Sequence, residues 1–196
     1  MQANIILASS SETRKQLLNR LQLDYISISP DIDEQAQNES NADELAYRLA
    51  YEKANIIAQQ YPNAIVIGSD QVAWREDQPH IFLGKPLSVE NAIEQLQLNA
   101  GKTVYFSTAL SVQHLASDFK QTLVQHYQVK FRSLQLDEIK RYIQLDQPLH
   151  CAGSFKCESL GICLFESMSG DDFTSLMGLP LIQLSSILRQ LNIQIP

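Results

Sequence analysis

Short apolar runs alternate along this chain with stretches of helical periodicity, and that alternation constrains the fold more than any single motif. Residues 4–8 (NIILA) read as an apolar strand, and 11–22 as a helix with Leu17, Leu18 and Leu21 on one side. Tyr25–Ser29 is extended, with Ile26 and Ile28 alternating with polar neighbours. Pro30 opens a polar loop, PDIDEQAQNESN. A long helix follows from about Ala42 to Gln60, with Asp43 and Glu44 in its first turn, where the helix dipole favours negative charge. NAIVIGSDQVAW reads as a buried strand over 64–74, IFLGKP as a strand ending in a turn, and Ser88 caps a helix that stops near Gly101. Two long β-rich runs, 103–114 and 121–132, resemble a hairpin across LASDF. A helix over 134–144, a strand at 162–166 and a last helix over about 174–191 complete the pattern. The expectation is an α/β fold with a mixed central sheet flanked by helices, the two long β runs forming a smaller lobe or flap.

Composition narrows the classes of partner. At 196 residues the chain is long enough to bury a real core, and 44% apolar with 19% charged residues is ordinary for a soluble globular protein. A net charge of −7 argues against nucleic acid or an anionic membrane as the main partner, but it allows a small anionic ligand if cations are gathered in one cleft. No apolar run approaches the ~20 residues of a membrane span, and MQANIILASS lacks the charged start and long apolar core of a signal peptide. Cys151, Cys157 and Cys163 match no disulfide framework or metal spacing, which predicts reduced thiols and a cytoplasmic protein. His80, His114, His126 and His150 are scattered, against a histidine-based zinc site.

The informative residues are polar groups where the pattern calls for apolar ones. In IILASSSETRKQLL, Ser9, Ser10 and Ser11 stand at a strand-to-helix turn. Ser9-x-x-Glu12 fits a capping box, while hydroxyls, free backbone amides and Arg14 together fit a phosphate cradle. Lys53 falls near the centre of the apolar arc of the second helix. Either its stem lies across apolar surface while the amine reaches out, or its ammonium projects into a cleft. Asp70 interrupts the strand 64–74. Either the strand ends at Ile67 and Asp70 is solvated, or a buried carboxylate meets a cation there. Gln71 would point to the opposite face of a regular strand. Asp31, Asp33 and Glu34 fit a solvated acidic loop or ligands for a hard cation, and Lys85 in LGKP stands at a strand end. Arg14, Lys53, Lys85, Glu34, Asp70 and a serine-rich helix start form an inventory for holding a polyphosphate with a divalent metal. Neither a Walker motif nor G-x-G-x-x-G is present.

The segments ILASSSETRKQLL, DIDE, LAYEKA, VIGSDQV, GKPLSVENA, VKFRSL, CAGSFKCESLGICLFE and GLPLIQL occur in the order seen in Maf-like nucleotide pyrophosphatases, which the chain resembles over essentially its whole length. The resemblance implies a single domain over 1–196, with two lobes around a deep cleft and a fold related to the inosine-triphosphate pyrophosphatases. It also implies metal-dependent hydrolysis of a nucleoside triphosphate to monophosphate and pyrophosphate. SDQV with CAGSFKCE resembles the branch that acts on 7-methyl-GTP. By that resemblance Asp70 is the catalytic proton acceptor, and Glu12, Gln71 and Glu158 stand at the positions associated with base selection. Ser9, Ser10, Ser11, Arg14, Lys53 and Lys85 would bind the triphosphate, and Glu34 with Asp70 would hold Mg²⁺ or Mn²⁺. Phe155 is the aromatic nearest in sequence for stacking on the base, and Lys156 could serve phosphate or base. Three departures stand out: Glu12 where the family has proline or an aromatic residue, Ser159 where glycine is common, and Phe173 where proline is common. The alternatives are hydrolysis of dTTP, UTP or another non-standard triphosphate, and a weakly active nucleotide-binding regulator of cell division. A homodimer is an expectation from the resemblance alone.

Overall fold

The apolar run around Asp70 becomes the spine of the sheet. A computed structural model describes residues 4–35, 37 and 39–195. Its strands are β1 (Ile5–Leu7), β2 (Tyr25–Ser27), β3 (Ile65–Arg75), β4 (Gln78–Leu83), β5 (Thr103–His114), β6 (Phe119–Phe131) and β7 (Phe165–Gly170). Its helices are α1 (Glu12–Asn19), α2 (Ala42–Gln60), α3 (Val89–Asn99), α4 (Leu136–Asp146), α5 (Phe173–Leu176) and α6 (Leu181–Gln190). The seven strands form one mixed sheet in the order β2-β1-β3-β5-β6-β7, with β4 also paired to β3. The expected mixed α/β architecture is borne out, as is the long hairpin, which is β5–β6.

β3 does not stop at Ile67. β5 pairs with it antiparallel from Val66 to Arg75, so its backbone groups on that side stay satisfied through Gly68, Ser69 and Asp70. On the other edge two strands share it. β1 runs parallel to Ile65–Ile67, β4 runs antiparallel from Ala73 on, and Gly68–Val72 is left between them with no strand partner on that edge among the described residues. The C-terminal ends of β1 and β4 approach this gap from opposite directions. The chain leaving β1 is the serine turn, and the chain leaving β4 carries Lys85.

Helix α2 lies close on the face of the sheet that carries Asp70. Ala46, Ala50, Ala54 and Ala58 recur every fourth residue along it, all fully buried, and a row of small side chains lets a helix approach a sheet closely. A Cβ built on Gly68 would lie 2.5 Å from the Ala50 carbonyl oxygen and 2.7 Å from the Ala54 nitrogen. Asn41 caps the helix, its Oδ1 accepting from Glu44 N at 2.9 Å. The opposite face packs α1 and α6 against Leu110, Val112 and Ile67. A separate apolar cluster, with Phe106, Phe131, Ile143 and Phe155 at its centre, joins α3 and α4 to the far ends of β5 and β6.

Four local expectations are corrected. Helix α1 starts at Glu12 because Ser11 is the cap, its Oγ accepting from Arg14 N at 3.4 Å; Ser9 therefore heads no capping box. α1 ends at Asn19, short of the expected residue 22. Residues 160–164 curl into a 3₁₀ turn rather than a strand, with Gly161 pressed so close to Lys156 that a Cβ would lie 2.3 Å from its carbonyl oxygen; β7 begins only at Phe165. The last helix is two, α5 and α6, because Gly178 takes φ 103°, a region open to glycine, and Pro180 then precedes the new start.

Replacing Gly68 with alanine should cost about 1–3 kcal/mol of stability, because the new methyl meets α2 backbone that cannot rotate away. Urea unfolding checks it, and an unchanged midpoint would mean that α2 does not lie this close to β3.

Candidate active site

Buried charge defines the site. Lys53 is only 5% exposed, so its ammonium does not reach out to solvent. Its Nζ donates to Asp70 Oδ1 at 2.6 Å and lies 2.6 Å from Glu34 Oε1. Asp70 is itself 8% exposed, in the middle of the unpaired edge of β3, so the solvated-turn reading of that residue does not hold. Breaking a buried pair of this kind by removing one partner typically costs about 3–5 kcal/mol, because the other charge is left uncompensated.

Arg14 reaches the same place from α1. Its Nε donates to the Gly178 carbonyl at 2.8 Å, and the same oxygen accepts from Ser69 Oγ at 2.9 Å. Burial lowers the pKa of the Arg14 guanidinium, and the negative charges of Asp70 and Glu34 oppose that shift. Partial burial pushes the Glu34 carboxyl up, but the Lys53 hydrogen bond and the charges of Lys53, Lys85 and Arg14 outweigh it, so the net direction is down. Lys85 is exposed on the loop after β4, close enough to act on both Glu34 and Cys151. That loop is tied across the site by Leu87 N, which donates to the Leu149 carbonyl at 3.0 Å although it holds Leu87 at φ 61°, an uncommon setting for a bulky side chain.

The serine turn divides its roles. Ser9 is buried; its Oγ accepts from Ser11 N at 3.1 Å, and its carbonyl accepts from Ser27 Oγ at 2.5 Å. Ser11 caps α1, and Ser10 is exposed. Turn and cap leave the first amides of the helix available to an anion, as a helix start does.

Other predicted residues lie elsewhere. Glu12 faces solvent and pairs with Lys15 at 2.7 Å. Gln71 points away from Asp70, its Nε2 within 3.0 Å of Thr108 Oγ1, the Ser175 carbonyl and the Leu176 carbonyl. Asp33 accepts from Gln35 N at 3.0 Å and does not join Glu34 on Lys53. Phe155 is 5% exposed and sits edge-on to Phe106, Phe131 and Phe165, which makes it core and corrects the expectation of a stacking wall. Lys156 donates from Nζ to the Asp146 carbonyl at 2.6 Å and from its backbone to Tyr142 Oη at 3.0 Å, which resolves its role as a loop anchor. Ser159 Oγ donates to Asp146 Oδ1 at 2.6 Å, so the residues on either side of exposed Glu158 are pinned to the end of α4. Ser69, Gly178 and Asp146 were not legible as site residues. The sequence signals were that Ser69 lies in VIGSDQV and Gly178 in GLPLIQL.

Among the described residues no group of three or more His, Cys, Asp or Glu stands together as a metal site. Glu34 and Asp70 do converge, and two carboxylates completed by substrate phosphate oxygens are what Mg²⁺ or Mn²⁺ accepts, so the donor set fits such an ion. All three cysteines are free. No helix among the described residues is long and apolar enough to cross a membrane.

The fold and this cluster describe an α/β protein with a cation-rich gap in its sheet, arranged for a phosphorylated ligand. The chain matches the family model described as Maf-like protein over residues 4–191, and it belongs to that family. It is 65% identical over 194 residues to a nucleoside triphosphate pyrophosphatase of Acinetobacter baylyi, covering 99% of this chain and 98% of the relative. It is 47% identical over 193 residues to a 7-methyl-GTP pyrophosphatase of Pseudomonas aeruginosa, covering 98% and 99%. Among solved structures, a HAM1 protein from Coxiella burnetii superposes with a TM-score of 0.53 over 96% of this chain and 99% of its own; at 15% identity that likeness carries the fold alone.

Two outcomes test this chemistry. Because Glu34 titrates lower folded than unfolded, its contribution to stability is complete above the ordinary glutamate range of about 4.3 and is lost as pH falls through the lower folded value. The difference in melting temperature between wild type and Glu34→Gln should therefore shrink from pH 7 to pH 3; a constant difference would remove the Lys53 contact. Burial and the neighbouring Glu158 push the Cys157 thiol up to about 12, whereas Cys163 is exposed. Iodoacetamide at pH 8 should modify Cys163 and spare Cys157 until denaturant is added, as read by peptide mass mapping.

Proposed function

We propose that this protein is a nucleoside triphosphate pyrophosphatase, acting on 7-methyl-GTP to give the monophosphate and pyrophosphate. The observation that carries the reading is the buried Asp70 carboxylate, held by Lys53 in a gap of the sheet that the serine turn and Lys85 approach from either end. Relatives at nearly half identity bearing that activity in their names support the choice of base. We read the chain as one domain in two lobes, with the gap between them.

The amides of the serine turn, Arg14, Lys53 and Lys85 would hold the triphosphate and meet the charge that develops on it. Asp70 would orient a water and accept its proton as the water oxygen attacks the α-phosphorus. The bond from that phosphorus to the α–β bridging oxygen breaks, and pyrophosphate departs with the bridging oxygen. Glu34 and Asp70 would hold Mg²⁺ or Mn²⁺, which supplies charge neutralisation to the phosphates. Burial of Asp70 favours this role, because a carboxylate shielded from bulk water keeps its position toward one bound water. Glu158, exposed on a loop pinned to the end of α4, would be the carboxylate for a positively charged 7-methylated base, whereas Gln71 and Glu12 would act indirectly or not at all.

Pyrophosphate release with Mg²⁺ across 7-methyl-GTP, GTP, dTTP, UTP and ITP tests the reading. Strong preference for 7-methyl-GTP is expected, with Asp70→Asn losing about 10²–10⁴-fold while remaining folded. Preference for dTTP or UTP would keep the reaction and change the base. Release from none of them, in a protein that still binds nucleotide, would leave a regulator.

A further inference from the structure

The carboxylates at Asp70 already have cation partners without any metal. Lys53 Nζ stands 2.6 Å from a carboxylate oxygen of Glu34 and 2.6 Å from one of Asp70, with its side chain only 6% exposed. Arg14 and Lys85 act on the same two carboxylates, Arg14 on both and Lys85 on Glu34. Three cations thus face two anions, and among the described residues no further acidic, histidine or cysteine side chain completes a set of three ligands. A divalent cation arriving alone would meet net positive charge and would have to take oxygens already held by an ammonium. A triphosphate arriving alone, or already carrying its metal, would meet attraction.

We infer that Lys53 is a resident counter-ion that keeps Glu34 and Asp70 closed to divalent cations until a triphosphate draws its ammonium away. An ammonium has three N–H donors, and the two carboxylates use two of them. A phosphate oxygen can engage the third and, by its larger negative charge, pull the group off the carboxylates. Asp70 is fixed on β3, while Glu34 stands on the loop ahead of α2 with its side chain 60% exposed, so the pair opens on the solvent side. The metal therefore enters with the nucleotide or after it. This order rests on the nucleotide reading above, but the blocking role of Lys53 does not.

Mn²⁺ binding, followed by the electron paramagnetic resonance of the free ion, tests it without turnover. Three samples are compared: wild type alone, wild type with a non-hydrolysable α,β-methylene triphosphate, and Lys53→Met without nucleotide. Wild type alone should bind Mn²⁺ weakly, and the analogue should tighten binding at least tenfold. Lys53→Met should bind at least tenfold more tightly than nucleotide-free wild type, and adding Asp70→Asn to it should abolish the gain. A folded Lys53→Met no tighter than wild type overturns the inference. Tight Mn²⁺ binding by nucleotide-free wild type overturns it as well, and that arm stands even if the variant does not fold. A gain in Lys53→Met with no effect of the analogue would leave the block in place and sink the nucleotide reading instead.

Discussion

Everything at the site depends on one buried ammonium having partners. Lys53 lies on the apolar side of α2, where an unpaired charge would be expelled or neutralised, and only the carboxylates of Asp70 and Glu34 make its position tolerable. The dependence is mutual, because Asp70 is itself buried, on a strand face it shares with Gly68 and Val72 under α2. Neither charge would be stable there without the other. The contact is possible because α2 lies on β3 at backbone distance, which the alanines of the helix and Gly68 of the strand allow together.

The sheet supplies the second condition. A strand flanked on both edges along its whole length would present Asp70 only to the layer above it. Here β1 ends three residues before Asp70 and β4 pairs three residues after it, so the same carboxylate also borders an edge gap into which two loops lead. The alternation of side chains then separates two tasks. Asp70 faces α2 and its cations, while Gln71 faces α5 and binds its carbonyls, tying β3 to the segment that carries Gly178. Through Gly178 that segment holds Arg14 and Ser69, so residues from three distant parts of the chain share one carbonyl.

Much of this was legible because violations of a pattern are informative. Lys53 and Asp70 stood out because each broke an apolar period, and burial with mutual pairing is the physical outcome of such a break. The resemblance singled out Glu34 from Asp33, and the structure supplies the physical reason: both occupy the same acidic loop, and only Glu34 reaches Lys53. The capping box failed for a local reason: two serines compete for the same helix start, and the one nearer the helix won. Phe155 was misread because a lone aromatic in a loop segment gives no sign that three other rings enclose it.

The linear order of residues determined the alternation of strands and helices, the cap at Ser88, the extended hairpin and the chemical inventory of the site. These follow from periodicity, turn chemistry and the cost of burying charge, all of which act over a few neighbouring positions. Only the tertiary structure decided that β1 and β4 share one edge of β3 and leave the stretch around Asp70 open between them. It also decided that Glu34 meets that carboxylate on Lys53, whereas Glu12 faces solvent. Register and partner choice depend on contacts between segments far apart in the chain, where no local propensity distinguishes one pairing from another.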